Sequence, residues 1–141
     1  MSWVRASNGL VSPNATQVGN EADGTPLYLA RAHYQGGVHI GKVRTAFGAA
    51  NIPYGGKEVK VADYEIYVGP AIWAAASGGK LPDGAVKYGE ESNGEPLFAA
   101  RAHIHGGIHP GKVRLAFGAA NIPYGGKEEK ANPYEVLIVR P

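Results

Sequence analysis

An all-β fold, made of two tandem pseudo-symmetric β repeats packed into one compact unit, is what this sequence predicts from three observations. The first is self-similarity at a spacing of 70 residues, in which Trp3 matches Trp73, Arg31 matches Arg101, Lys42 matches Lys112 and Tyr64 matches Tyr134. No gap is needed, about half of the aligned positions are identical, and residues 46–58 recur unchanged at 116–128. The second is punctuation: 21 glycines and 10 prolines fall in groups such as Gly36-Gly37 and Gly55-Gly56, which is turn chemistry between short elements. The third is that the stretches between these groups are aromatic, β-branched and two-faced, as strands are.

The duplication divides the chain at residues 1–70 and 71–141. Each half is too short to bury much apolar area alone, so the halves are expected to pack around a shared or continuous core. Residues 3–7 read as a strand. Their counterpart at 71–76 is alanine-rich and would suit a helix, but the first copy of the segment is a poor helix and a fair strand. Residues 27–34 place Leu27, Leu29, Arg31 and His33 on one face and Tyr28, Ala30, Ala32 and Tyr34 on the other, closed by Gln35-Gly36-Gly37. Residues 38–47 form a further strand interrupted at Gly41. Residues 64–68 and 134–138 complete the set with Tyr-Glu-Ile-Tyr-Val and Tyr-Glu-Val-Leu-Ile.

Composition removes several classes of function. A net charge of +2 comes from 14 basic and 12 acidic residues scattered along the chain, so no basic stripe exists to neutralise successive phosphates. No apolar run approaches the length of about 18 residues that a membrane span needs, and the first residues lack a signal-peptide core. The expectation is a soluble protein made in the cytosol, with non-classical export as the alternative. The absence of cysteine removes disulfides and thiolate metal sites. Asn14-Ala15-Thr16 fits a glycosylation acceptor, which matters only in a secretory chain and otherwise reads as a turn.

Two cofactor motifs fail on inspection, and one catalytic pair stays open as an alternative. Gly36 to Lys42 and Gly106 to Lys112 have the spacing of a phosphate loop, but Val43 and Val113 stand where magnesium chemistry needs a hydroxyl, and no helix follows. His103, His105 and His109 suggest a metal, yet the first copy keeps only His33 and His39, with Gln35 in the middle position. Packing on tyrosine or capping of loops is the reading favoured for these rings, and neither a metal nor a cofactor is implied. A glycosidase pair could be sought in Glu58 and Glu65, which survive as Glu128 and Glu135, whereas Asp63 becomes Pro133 and Asp23 becomes Asn93. A glycoside-processing enzyme using these acids is the alternative to binding, and a purely structural interaction module is another.

What both copies keep is polar and loop-like: Asp23-Gly24 and Asn93-Gly94, Gly41-Lys42 and Gly111-Lys112, Gly55-Gly56-Lys57-Glu58 and Gly125-Gly126-Lys127-Glu128. A sugar presents adjacent hydroxyls that donate and accept at once, which suits a carboxylate or amide oxygen beside an ammonium, with glycines admitting the backbone. An Asp-to-Asn exchange is tolerable there and damaging to a metal ligand or general base. The same residues also make tight turns, and composition does not choose between the readings.

The ordered set Trp3-Val4, Asp23-Gly24, Pro26-Leu27-Tyr28, Arg31-Ala32, Gly41-Lys42-Val43, Pro53 to Glu58 and Tyr64-Glu65-Ile66 resembles one DM-nine repeat, and the second copy repeats it. The chain is similar to the two-repeat mannose-specific lectins of that family and to the lectin module of natterin-like toxins. That resemblance implies a non-enzymatic, cofactor-free lectin for mannose-type glycans with one site per repeat, working as a multivalent homodimer in glycan or microbe recognition. By motif it places Asp23 and Lys42 in the first site and Asn93 and Lys112 in the second, and Glu58 and Glu128 join them from the conserved loops. The family commonly has proline before Gly-Lys, present here as Pro110 and replaced by Ile40 in the first copy.

Overall fold

The computed structural model describes residues 2–140. The first repeat supplies β1 (Ser2–Ser7), β2 (Gln17–Asn20), β3 (Pro26–Tyr34), β4 (Gly37–Val43), β5 (Ala50–Tyr54), β6 (Lys57–Val61) and β7 (Asp63–Val68). The second supplies β8 (Ile72–Ala76), β9 (Lys87–Glu90), β10 (Pro96–Ile104), β11 (Gly107–Val113), β12 (Ala120–Tyr124), β13 (Lys127–Ala131) and β14 (Tyr134–Ile138). Among the described residues, the only helical segments are single 3-10 turns at Thr45–Phe47 and Leu115–Phe117, each ended by a left-handed glycine, Gly48 or Gly118. The alanine-rich segment at 71–76 is a strand, as its first-copy counterpart requires, and it pairs with β14 from Ile72↔Ile138 to Ala76↔Tyr134.

Every strand pairing is antiparallel, and the repeats interlock rather than abut. Strand β2 lies between β3 of its own repeat and β11 of the other, while β9 lies between β10 and β4. Following β3, β2, β11, β12, β13, β6, β5 and β4 returns to β3, which closes eight strands into a barrel. Strands β1 and β8 end the order on the outside. At the middle of the ring β6 meets β13 with Lys57 opposite Lys127, so a pseudo-twofold axis passes through that contact.

Glycine explains how the strands can come so close. Gly41 does not interrupt its strand: β4 runs through it to Val43. A Cβ built at Gly41 would stand 2.0 Å from the Asn51 carbonyl oxygen, so only a residue without a side chain admits β5 there. Gly19 plays the same part between repeats, where a Cβ would meet the Ile108 carbonyl oxygen at 2.1 Å.

Packing follows the two-faced pattern of residues 27–34. Leu29 faces a central cluster that mixes both halves, with Val18, Ile40 and Tyr67 from the first and Tyr88, Leu97, Ala99 and Leu137 from the second. Ala30 and Ala32 face a cluster confined to the first half, with Val43, Ala50, Ile52, Tyr64 and Ile66. An equivalent cluster around Ala100, Val113, Ile122 and Tyr134 serves the second half. The apolar area of each repeat is thus divided between a private core and a shared one, and removal of either repeat would expose Leu29 or Leu97 to water.

Candidate functional site

The lysines of the duplicated Gly-Lys pairs are not surface groups. Lys42 and Lys112 are each 2% exposed, on the inner side of β4 and β11, where Lys42 pairs with Asn51 and Lys112 with Asn121. The Lys42 ammonium donates to Nδ1 of His109 at 2.9 Å, and the Lys112 ammonium donates to Nδ1 of His39 at 2.9 Å. Each contact crosses from one repeat to the other. Burial, and then the neighbouring lysine, lower the pKa of His39 and of His109 to about 4, so both rings are neutral near pH 7 and can accept from an ammonium. With Nδ1 accepting, the proton sits on Nε2, and in both rings Nε2 is buried without a hydrogen-bond partner. Nε2 of His109 lies 3.8 Å from the nearer oxygen of Glu21.

The lysines are desolvated, which lowers their pKa, and nearby carboxylates oppose that effect, Glu58 at Lys42 and Glu128 at Lys112. Glu58 Oε2 stands 4.0 Å from the Lys42 ammonium and accepts from the Asn51 amide at 3.3 Å. Its other oxygen accepts from the backbone amide of Gly126 at 2.9 Å, and Glu128 accepts from Gly56 in the same way at 2.9 Å. The two Gly-Gly-Lys-Glu hairpins therefore clasp each other across the pseudo-axis. The Asn51 and Asn121 side-chain oxygens are buried and unpaired. The Tyr124 ring covers the Lys42 ammonium at 5.1 Å, and Tyr54 covers Lys112 at 5.5 Å.

At the rim, Arg44 lies over Phe47 at 4.6 Å and its Nε donates to Glu21 at 2.9 Å; Arg114 lies over Phe117 at 4.5 Å and donates to Glu91 at 3.0 Å. Asp23 and Asn93 sit on the exposed turns above these pairs. Asp23 accepts from the amide and hydroxyl of Thr25 at 2.9 and 2.7 Å, and the hydroxyl contact is the main reason its pKa is lowered. Asn93 accepts from the Glu95 amide and donates to the Glu95 carboxylate, both at 3.0 Å.

Of the residues singled out from the sequence, Lys42 and Glu58 come together, and Lys112 sits with Glu128; Asp23 and Asn93 stand apart on their turns. The acid that faces each lysine and histidine is instead Glu21 or Glu91, two residues earlier. Glu21, Arg44, Asn51 and Tyr124 are not among the candidates from sequence, and His109 is weighed there only as a metal ligand or a packed ring. All five recur at the 70-residue offset, as Glu91, Arg114, Asn121, His39 and Tyr54, so the duplication alone could have found them. Each cluster also draws its lysine from one repeat and its histidine and tyrosine from the other. A site built on either cluster would therefore be shared between the repeats and present twice.

The acids considered for glycosidase chemistry are held in separate networks. Glu65 accepts from Arg31 at 2.8 Å, and Glu135 from Arg101 at 2.8 Å, away from the amides that hold Glu58 and Glu128. Glu65 lines a cleft of about 480 Å³ on β1, β7 and β3, with Arg5, Arg31, His33 and Asp63. Ala75 and Pro133 replace Arg5 and Asp63 in the second copy, so the polar lining is not duplicated. His39 and His109 pack edge-on against Tyr54 and Tyr124 at 4.9 and 5.0 Å. No cluster of three metal-ligating side chains occurs among the described residues.

Interlocked tandem β repeats with duplicated lysine clusters define the class of protein. The DM9 repeat family model matches residues 1–61 and 48–131, and the chain belongs to that family. Among solved structures, it is similar to the nematode sperm cell motility protein MFP2B, at 15% identity and a TM-score of 0.69 over 99% of this chain. The chain spans 47% of that protein's length, and at this identity the likeness shows the fold. A search of curated proteins returned no match.

Proposed function

We propose that the chain is a carbohydrate-binding protein that holds neutral, mannose-type saccharides at its two lysine clusters and leaves them chemically intact. The observation that carries this reading is the alternation of donors and acceptors around each cluster. An ammonium, a guanidinium and an imidazole N–H are set among the carboxylates of Glu21 and Glu58 and the free oxygen of Asn51, with the same set at Lys112. Adjacent sugar hydroxyls act as donor and acceptor together and complement such a set, whereas a simple anion or cation uses half of it. The paired charges also favour an uncharged ligand.

Binding in preference to catalysis is supported by the way Glu58 and Glu128 are occupied. Both oxygens of Glu58 accept from amides, which holds the carboxylate in place as a hydrogen-bond acceptor with lone pairs remaining for ligand hydroxyls. A few solvent-competed hydrogen bonds give weak single-site affinity, so use in the cell requires multivalency. Two clusters in one rigid unit provide it, and a homodimer formed through the outer edges of β1 or β8 would double it. The test is a titration with methyl mannoside of wild type and of Lys42→Met and Lys112→Met, volume-conserving changes that remove the ammonium. Each variant is expected to lose its own site, and unchanged binding in both would refute the assignment.

A further inference from the structure

The rims of the two clusters are not equivalent. Arg114 is held by two carboxylates: its Nε donates to Glu91 at 3.0 Å and its Nη1 donates to Glu95 at 2.5 Å. Glu95 is in turn steadied by Asn93, which donates to its second oxygen at 3.0 Å. The position of Glu95 is Thr25 in the first repeat, and the Thr25 hydroxyl turns back to Asp23. Arg44 consequently spends its Nε on Glu21 and has no other hydrogen-bond partner among the described residues. Its outer N–H fork is free, and the side chain is more exposed, at 30% against 22% for Arg114.

Resting on the carbohydrate reading above, we infer that Arg44 is a specificity-determining residue of the first site, its free fork reading a pair of adjacent saccharide hydroxyls that the second site cannot read because Glu95 occupies Arg114. A planar fork matches two acceptor oxygens side by side, and Phe47 beneath the guanidinium at 4.6 Å keeps that fork in one orientation. The ligand group is neutral. Glu21 is bonded to Arg44, and the Asp23 carboxylate acts on it through space, so an incoming carboxylate or sulfate would face two negative charges while a hydroxyl pair would not. The difference between the copies at positions 23 and 93 then acts through the turn: Asn93 donates to Glu95 and holds it on Arg114, a role the acceptor-only carboxylate of Asp23 cannot fill.

The experiment transplants the turns. In a Lys112→Met chain, which keeps the first site, Asp23→Asn with Thr25→Glu rebuilds the carboxylate clamp on Arg44; in a Lys42→Met chain, Asn93→Asp with Glu95→Thr removes it from Arg114. The first exchange is expected to weaken methyl mannoside binding about tenfold, the equivalent of one lost charge-assisted contact, and the second to strengthen it by a similar factor. Thermal unfolding of each variant keeps folding defects separate from binding defects. Exchanges that leave affinity unchanged, in chains where the remaining lysine still controls binding, would overturn the role of Arg44 and leave the carbohydrate reading standing. Lysine variants that do not alter binding at all would overturn both.

Discussion

Lowering the pH should unfold this protein through two buried histidines, and the size of the effect follows from their environment. His39 and His109 are fully buried, each accepting from a lysine, and each has its pKa lowered from 6.5 to about 4. The charged groups facing His109 are Lys42, His105 and Glu21, and those facing His39 are Lys112 and Glu91. In the unfolded chain the rings take a proton as the pH falls through 6.5, while in the folded chain they refuse it until about 4. Between those values the unfolded state binds more protons, so stability falls with falling pH, and above 6.5 the rings contribute no pH dependence. The accumulated loss is about 3 kcal/mol for each ring, with a slope of about 1.4 kcal/mol per pH unit per ring. Urea unfolding at intervals from pH 7 to 4.5 measures this, and His109→Gln, whose amide oxygen can still accept from Lys42, should halve the slope. Wild-type stability that is flat across the window, or His39 and His109 resonances titrating near 6.5, would rule this out.

Other perturbations have expected outcomes of their own. Gly41→Ala drives a Cβ to 2.0 Å from the Asn51 carbonyl oxygen and should cost several kcal/mol or prevent folding, whereas Gly48→Ala, with nothing within 4 Å but a left-handed φ of 71°, should cost only about 1 kcal/mol; thermal melts compare them. Residues 1–70 expressed alone should remain unfolded by circular dichroism and bind no sugar, and should recover structure when mixed with residues 71–141, because β2 finds its second partner in β11.

The all-β class, the duplication and most strands were legible because they rest on local signals. Alternation in residues 27–34 and the aromatic strands near Tyr64 and Tyr134 needed no tertiary information. Gly41 was misjudged as a break, since a glycine demanded by a neighbouring carbonyl looks in sequence like one demanded by a turn. Site residues divided along the same line. Lys42 with Glu58, and Lys112 with Glu128, belong to short repeated motifs and lie together, whereas Asp23 and Asn93 do not join them. Glu21 and His109 are 88 positions apart in the numbering and meet only because β2 and β11 pair across the repeats. The offset of 70 preserves each residue in its own copy but carries no sign that the copies exchange partners.

Both proposed saccharide sites are built around the buried lysines and shared between repeats. An amide-resolved NMR titration with methyl mannoside tests this arrangement most directly, following residues around Lys42 and Lys112 in wild type, in each lysine-to-methionine variant and in the double variant. Saturable shifts are expected at both clusters in wild type, with loss of one set in each single variant and no binding in the double. A double variant that keeps its fold and binds the sugar as wild type does, with shifts centred on the Arg5–Asp63 cleft or elsewhere, would contradict it.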